Sequence, residues 1–183
     1  MQSNISVANE ENGLFFEQEK IQVEKDDGLN QIVETEGEIS PNGEILLVDN
    51  PCVGEKITES RYQTAGINVI YINGDKPNFC IITSPYQYGM GKWLDNRYFI
   101  YHYGKADVYV YDLLYNKEKR ISHASLHIKS VDNGYILLMS NFEGDFIITY
   151  EFDENGEVIF ANEDGTVLDV GDWEDGRVVW LSQ

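Results

Sequence analysis

The sequence contains little cysteine and histidine, and it has no long apolar run. Two of its 183 residues are cysteine and three are histidine. No apolar stretch approaches the roughly 20 residues of a membrane-spanning helix, and residues 1–13 have neither the basic nor the apolar region of a signal peptide. We therefore predict a soluble protein without membrane association and with a cytoplasmic location, although a trimmed secretion signal would leave the same sequence.

The two cysteines belong to no recognisable motif. Cys52 and Cys80 are 28 residues apart, and the C-x-x-C spacing of metal and redox sites is absent. Cys80 falls within the apolar run 79–83, where a buried thiol packs as a small apolar side chain. We expect structural free thiols rather than a disulfide.

Signatures of nucleophilic catalysis and of nucleotide binding are also absent. The sequence has no G-x-S-x-G and no S-x-x-K motif, and neither cysteine has a histidine near it. The stretch from Gly89 to Lys92 lacks the spacing and the following Ser or Thr of a phosphate-binding loop. The sequence thus predicts no cofactor and no catalytic residue, and it favours a protein that is not an enzyme.

Two features could suggest metal binding. His123 and His127 would share one face of an extended strand, and His102 could lie in a neighbouring strand, which would give three imidazoles for zinc. Acidic segments at 153–157, 162–165 and 172–176 suggest calcium as a minority alternative. The histidine spacing fits no zinc motif, and Asp-Gly or Asn-Gly pairs are what tight turns require. We therefore predict no metal site.

Basic residues are scarce in comparison with acidic residues. The net charge is −19, and residues 1–60 contain 14 acidic and 3 basic residues, residues 61–122 contain 5 and 8, and residues 123–183 contain 13 and 2. Such a field repels phosphate backbones, so we predict no nucleic-acid binding. It suits a basic protein partner, or it serves solubility alone.

The pattern of strands is organised around residues 89–122, which read as two apolar strands, a tight turn and a third, polar strand. Similar strands of five to seven residues alternate with Asn-Gly or Asp-Gly turns at intervals of about ten residues, which is typical of antiparallel all-β folds. Residues 49–64 lack this pattern and are expected to form a short helix or an ordered loop. We predict a frayed segment at 1–13 and a single all-β domain at 14–183.

Four segments repeat a turn followed by an apolar strand: SPNGEILLV from Ser40, WLDNRYFIY from Trp93, VDNGYILLM from Val131 and WEDGRVVWL from Trp173. The last three begin 38 and 42 residues apart, and the pattern resembles the blades of WD-repeat-like β-propellers. The resemblance implies a small propeller-like ring of about four units, which strands between Leu14 and Val23 would help to close. A β-sandwich or open barrel is the alternative.

Aromatic residues suggest where a partner could bind. Residues 98–103 are aromatic or apolar at odd and even positions alike, so this strand either lies between two layers or lines a partner surface. The Gly- and Tyr-bearing loop before it predicts exposed binding residues. The predicted binding residues are Tyr86, Tyr88, Trp93, Tyr103 and Trp173.

The hypothesis from sequence is a non-catalytic protein that binds a basic protein partner through its acidic surface. A bacterial immunity or inhibitor protein that neutralises a basic enzyme would have this charge, by analogy alone. The alternative is a carbohydrate-binding or carbohydrate-processing propeller-like domain. The oligomeric state does not follow from the sequence.

Overall fold

The structure, a computed structural model, describes residues 37–51, 65–74, 76–84, 91–104, 107–122, 126–140 and 144–180. Strands and turns make up these ranges, and no helix that could span a membrane occurs in them. Some expectations fall outside the described residues: the frayed segment 1–13, the strands between Leu14 and Val23, His123, Tyr86, Tyr88 and most of the short helix or loop expected at 49–64. The first residues of that segment, 49–51, lie in a strand, so the expectation is wrong there, because backbone pairing with residues 65–67 extends the apolar strand before them.

Within these ranges the strands are β1 (Gly37–Ile39), β2 (Ile45–Pro51), β3 (Ala65–Tyr71), β4 (Phe79–Ser84), β5 (Lys92–Trp93), β6 (Tyr98–Tyr103), β7 (Asp107–Asp112), β8 (Lys117–Ser122), β9 (Leu126–Asp132), β10 (Tyr135–Ser140), β11 (Gly144–Phe152), β12 (Val158–Asn162), β13 (Glu174–Asp175) and β14 (Val178–Trp180). They form three antiparallel sheets. The first has the order β1-β2-β3-β4-β14, the middle β13-β8-β7-β6-β5, and the third β12-β11-β10-β9. The predicted antiparallel all-β class is confirmed.

Local turn chemistry sets the ends of these strands. Between β9 and β10, Asn133 and Gly134 have positive φ angles of 44° and 85°. This is the combination that a two-residue hairpin turn needs, and asparagine and glycine adopt it at little cost. The Asn-Gly signal in the sequence therefore places this turn correctly.

Three of the four repeated segments occupy equivalent places. The turns that begin at Ser40, Trp93 and Val131 each lead into the second strand of a sheet, namely β2, β6 and β10. The longer interval after Ser40 arises between β2 and β3. The segment from Trp173 differs, because it places β13 at the edge of the middle sheet and β14 at the edge of the first.

The middle sheet is buried on both faces. Side chains of β6 alternate between two core clusters: Tyr98 and Ile100 pack toward the third sheet, whereas Phe99 and Tyr101 pack toward the first. All four are fully buried. This strand lies between two layers, which was one of the two arrangements that its sequence pattern allowed.

None of the three described sheets closes on itself. The first and third sheets pack on opposite faces of the middle sheet. The observed architecture is therefore a set of open antiparallel sheets, and the described residues do not show a propeller-like ring of about four units.

The expectation of a free thiol at Cys80 is also wrong. This cysteine lies fully buried in β4, as its apolar surroundings predict, but it is disulfide-bonded. The sequence contains one other cysteine, Cys52, which lies outside the described residues. The expectation of a free thiol is wrong because disulfide formation depends on the distance and direction of the Cβ atoms, which spacing along the chain does not reveal.

Candidate functional site

Trp93 is buried, contrary to the exposure expected from its place beside a Gly-rich loop, and its predicted binding role stays a prediction. It is 8% exposed, packs edge-on against Phe99 with ring centroids 5.3 Å apart, and donates its indole N–H to the carbonyl of Glu38 at 3.0 Å. The expected exposure is wrong because Trp93 pairs with Phe99 in the middle sheet, which directs its ring into the core between the first and middle sheets.

The structure does not bring Tyr103 and Trp173 together. Tyr103 packs against the core between the first and middle sheets, and Trp173 packs against the core between the middle and third sheets. Trp173 lies 6.2 Å from the Tyr98 ring and 5.2 Å from the Lys119 ammonium. Tyr103 and Trp173 therefore lie on opposite sides of the middle sheet, and their predicted binding role stays a prediction.

Tyr103 instead belongs to a cluster around Arg177. The guanidinium lies 3.6 Å from the centroid of the Tyr103 ring and 4.4 Å from that of Tyr109. Its Nε is 2.7 Å from Oε1 of Glu118, a carboxylate that is only 2% exposed. The Tyr101 hydroxyl donates to Oε2 of the same carboxylate at 2.5 Å. An aromatic clamp and a buried ion pair thus hold this arginine in place.

The Arg177 cluster holds the Tyr101 hydroxyl in its protonated form. Burial, together with the negative charge of Glu118, raises the pKa of Tyr101 well above its usual value. Arg177 Nε lies within ion-pair distance of Glu118 but makes no hydrogen bond. Because the ion pair and the two tyrosine rings fix the position of Arg177, we interpret the cluster as an anchor for the segment that connects β13 to β14.

His102 and His127 lie close together, with ring centroids 5.5 Å apart. Nε2 of His102 accepts the backbone N–H of Ile128 at 2.7 Å, which joins the middle sheet to the third. Burial and the neighbouring His127 lower the pKa of His102 to about 4. The nitrogen that faces the third sheet is therefore already occupied by a hydrogen bond, and no cluster of three metal-binding side chains occurs in the described part of the chain.

The acidic turns use their carboxylates internally. Oδ1 of Asp153 accepts the backbone N–H groups of Asn155 and Glu157, both at 2.8 Å. Oδ1 of Asp164 accepts the N–H of Thr166 at 2.9 Å. These hydrogen bonds lower the pKa of both aspartates. The contacts are those of aspartate-initiated turns, as the Asp-Gly pattern indicates.

Asp49 is a titratable group that the sequence did not single out. Burial raises the pKa of its carboxyl group to about 7, although the N–H of Gly91, 3.3 Å from Oδ1, opposes this change. The contact ties β2 to the residue before β5. An isolated aspartate in an otherwise apolar strand is the sequence signal that could have marked it.

One cleft lies where the first and middle sheets meet, with a volume of about 280 Å³. Its apolar lining comes from Ile45, Tyr71 and Leu113, and amide side chains of asparagine surround it. Its two cations are engaged: Lys76 lies over the Tyr71 ring at 5.3 Å, and Arg97 forms a two-pronged ion pair with buried Asp112 at 3.0 and 2.7 Å. Because Asp112 balances Arg97 and the lining Glu44 is opposite in charge to Lys76, the cleft is close to neutral. Its asparagines are Asn42, Asn73 and Asn96.

The third sheet presents an apolar surface to solvent. Its inward side chains, such as Ile136 and Leu138, are fully buried against the middle sheet. Its outward side chains include Tyr135, Met139 and Ile147, which are 56%, 38% and 36% exposed. The sequence did contain a signal for this surface, because the segment YILLM is apolar at odd and even positions alike.

Comparison with protein-family models, with curated proteins and with solved structures finds no match to this chain. Function must therefore be argued from the residues themselves.

Proposed function

We propose that this protein is a non-catalytic binding protein that captures a basic protein partner through its acidic surface. The observation that carries the proposal is the charge around the third sheet. Residues 126–164 contain nine acidic residues and one lysine. Many of these acids are exposed in the described structure, among them Asp132, Glu151, Glu154 and Glu163. A one-signed field of this kind accelerates and selects the approach of an oppositely charged protein.

Inhibition or neutralisation of a basic enzyme, as immunity proteins do, is the version of this function that the charge suits best.

The disulfide of Cys80 is more typical of oxidising compartments, which weighs against the cytoplasmic location that the sequence predicts.

The proposal is tested by affinity capture from the native host at low and at high ionic strength. We expect basic proteins to be retained at low salt and released as the Debye length falls below roughly 10 Å. A variant with Glu151, Glu154 and Glu163 changed to glutamine serves as the matched bait and should retain less. Recovery of no protein at low salt would contradict the proposed function.

A second candidate is the binding of a neutral sugar unit, which the cleft between the first and middle sheets favours. Asn73 and Asn96 beside an apolar floor with one tyrosine offer hydrogen bonds and ring contact together, and about 280 Å³ suits a small ligand. The side chain of Asn42 is engaged with Ser40 and Glu44. Of the cleft-lining residues, Glu44 is the sole carboxylate, so the pair that glycoside hydrolysis needs is not supplied there. Binding to a glycan array that Asn96→Ala abolishes would favour this candidate.

We propose further that the three sheets are blade-like units of a propeller-like arrangement. Three successive four-stranded meanders with equivalent turns support this idea. An experimental structure in which the sheets diverge around a common axis would support it, whereas a parallel stack of layers would contradict it.

A further inference from the structure

The outer face of the third sheet, defined by Tyr135, Leu137, Met139, Ile147 and Ile159, has no cover among the described residues. None of these side chains belongs to either core cluster. Tyr135, Met139 and Ile147 are exposed, and Leu137 and Ile159 are half-buried. Contiguous exposed apolar surface is uncommon on proteins that act alone and often marks an interaction site.

Strand register makes these residues neighbours. Leu137 of β10 lies directly opposite Ile147 of β11. Next to them, Thr149 of β11 lies opposite Tyr135 on one side and Ala161 of β12 on the other. Side chains directly opposite in an antiparallel pair are about 5 Å apart at Cβ, so Leu137 and Ile147 form an apolar centre, which Tyr135 and Met139 extend along β10. Ile159 lies on β12, beyond Thr149 and Glu151.

Carboxylates surround this apolar surface in the same register. Asp132 lies opposite Tyr135, Asp145 opposite Met139, and Glu151 opposite Ile159. Lys129 forms an ion pair with Asp145 at 3.1 Å and is the one basic residue between 126 and 164. The outer face therefore has an apolar centre and an acidic rim.

Charge decides which occupant fits. A second copy of this chain would bring the same acidic rim and a net charge of −19 against its like. The chain's own residues 1–36 contain nine acidic and two basic residues, so they too would be repelled. A basic partner gains both from the rim and from the apolar centre.

We propose that the outer face is the docking site for a basic protein segment that carries apolar side chains between lysines or arginines. This inference rests on the proposed function and names its site. Apolar side chains of the partner would contact Leu137 and Ile147, and its cations would lie near Asp132 and Glu151. The apolar centre supplies affinity, whereas the rim supplies orientation and rate.

The test uses two synthetic peptides of equal charge, one of lysine and leucine and one of lysine and serine, titrated into the full chain by calorimetry at low salt. We expect the leucine peptide to bind at least about tenfold more tightly than the serine peptide, because buried apolar area adds to charge attraction. The variant Leu137→Thr/Ile147→Thr should remove this preference and leave the serine peptide unchanged. Val167→Thr, at an exposed valine outside the face, is the matched control and should preserve it.

Each result would contradict a different part of the proposal. Binding of neither peptide contradicts both the proposed function and the docking site. Equal binding of both, or an undiminished preference in the double variant, contradicts the docking site alone. A dimer in sedimentation that the double variant dissociates would assign the face to a second copy, and tighter binding after removal of residues 1–36 would assign it to that segment.

Methyl chemical shifts of Ile147 and Ile159 report the contact directly, and Met139→Thr repeats the test if the double variant does not fold.

Discussion

Strands β6 and β10 have the same kind of sequence and different surroundings. Both are second strands of their sheets, and both are apolar at successive positions, YFIYHY in one and YILLMS in the other. In β6 the side chains on both faces are buried, whereas in β10 Ile136 and Leu138 are buried and Tyr135 is 56% exposed. The middle sheet is covered by a sheet on each face. Among the described residues, the third sheet is covered on one face only, and its outer face exposes apolar side chains.

The largest expected effect on the free energy of unfolding comes from the Arg177 cluster, on the face of the middle sheet that the first sheet covers. Arg177→Met leaves the Glu118 carboxylate buried without a counter-charge, and we expect it to lower the free energy of unfolding by about 4 kcal/mol. Adding Glu118→Gln should recover most of this loss, because it removes the buried charge and keeps an acceptor for Tyr101. Urea denaturation followed by tryptophan fluorescence measures both.

The matched control for the ion pair lies on the third sheet. Lys129 and Asp145 are 50% and 44% exposed, so Lys129→Met should cost less than about 1 kcal/mol. If Arg177→Met and Lys129→Met lower the free energy of unfolding equally, the Arg177 cluster is not the buried anchor described above.

The next effect compares two isoleucines directly. Ile100→Ala removes a side chain that is enclosed between the middle and third sheets, and we expect a loss of about 3 kcal/mol. Ile147→Ala removes one from the outer face, 36% exposed, and should cost less than about 1 kcal/mol. A large loss at Ile147 would show that this face is covered in the free protein, and it would remove the basis of the docking site.

A smaller expected effect is a pH dependence of stability from His102, whose hydrogen bond joins the middle sheet to the third. The pKa of His102 is about 4 in the folded chain and 6.5 when unperturbed, so the unfolded chain binds more protons between these values. The stabilisation is complete above pH 6.5 and is lost as the pH falls toward 4, by about 2 kcal/mol. Denaturation midpoints between pH 7 and 4 measure it. His102→Gln should flatten this dependence, and an unchanged slope would contradict the assignment.

A pH dependence of the opposite sign comes from the first sheet. The pKa of Asp49 is about 7 in the folded chain and 3.8 when unperturbed, so the folded state holds a proton that the unfolded chain releases. Stability from this group therefore falls as the pH rises from about 4 to 7. Asp49→Asn, which keeps an acceptor for Gly91, should stabilise the protein at pH 8 and change its stability much less at pH 4. A destabilised variant at pH 8 would count against the raised pKa.

The sequence predicted the strands and turns because their causes are local. Asn133 and Gly134 specify a tight turn whatever surrounds them, and alternation of side chains marks a strand. It could not predict which apolar faces are covered, because YFIYHY and YILLMS are both apolar at successive positions and the sheets that pack against them come from distant parts of the chain. Trp93 shows the same limit, since pairing with Phe99 buries a ring that its glycine-rich neighbourhood suggested was free.

The candidate site was less predictable than the fold. Glu118 lies between two lysines in β8, a context typical of a solvated strand, yet it is buried by residues far along the chain. The Cys80 disulfide and the Asp49 carboxyl likewise depend on distant partners. The acidic balance, by contrast, is a property of composition and was visible at once.

The pairing of β14 with β4 has a consequence for how the chain folds. Val178 pairs with Ile81, so the first sheet reaches its full width only after nearly all later strands have been synthesised. Contacts between residues far apart in sequence slow folding, because the loop between them must close before they contribute. Until then the outer edge of β4 exposes unpaired backbone groups, which other chains can pair with. The Arg177 cluster forms only when β14 is in place, so the anchor and the pairing at the edge of β4 are completed together.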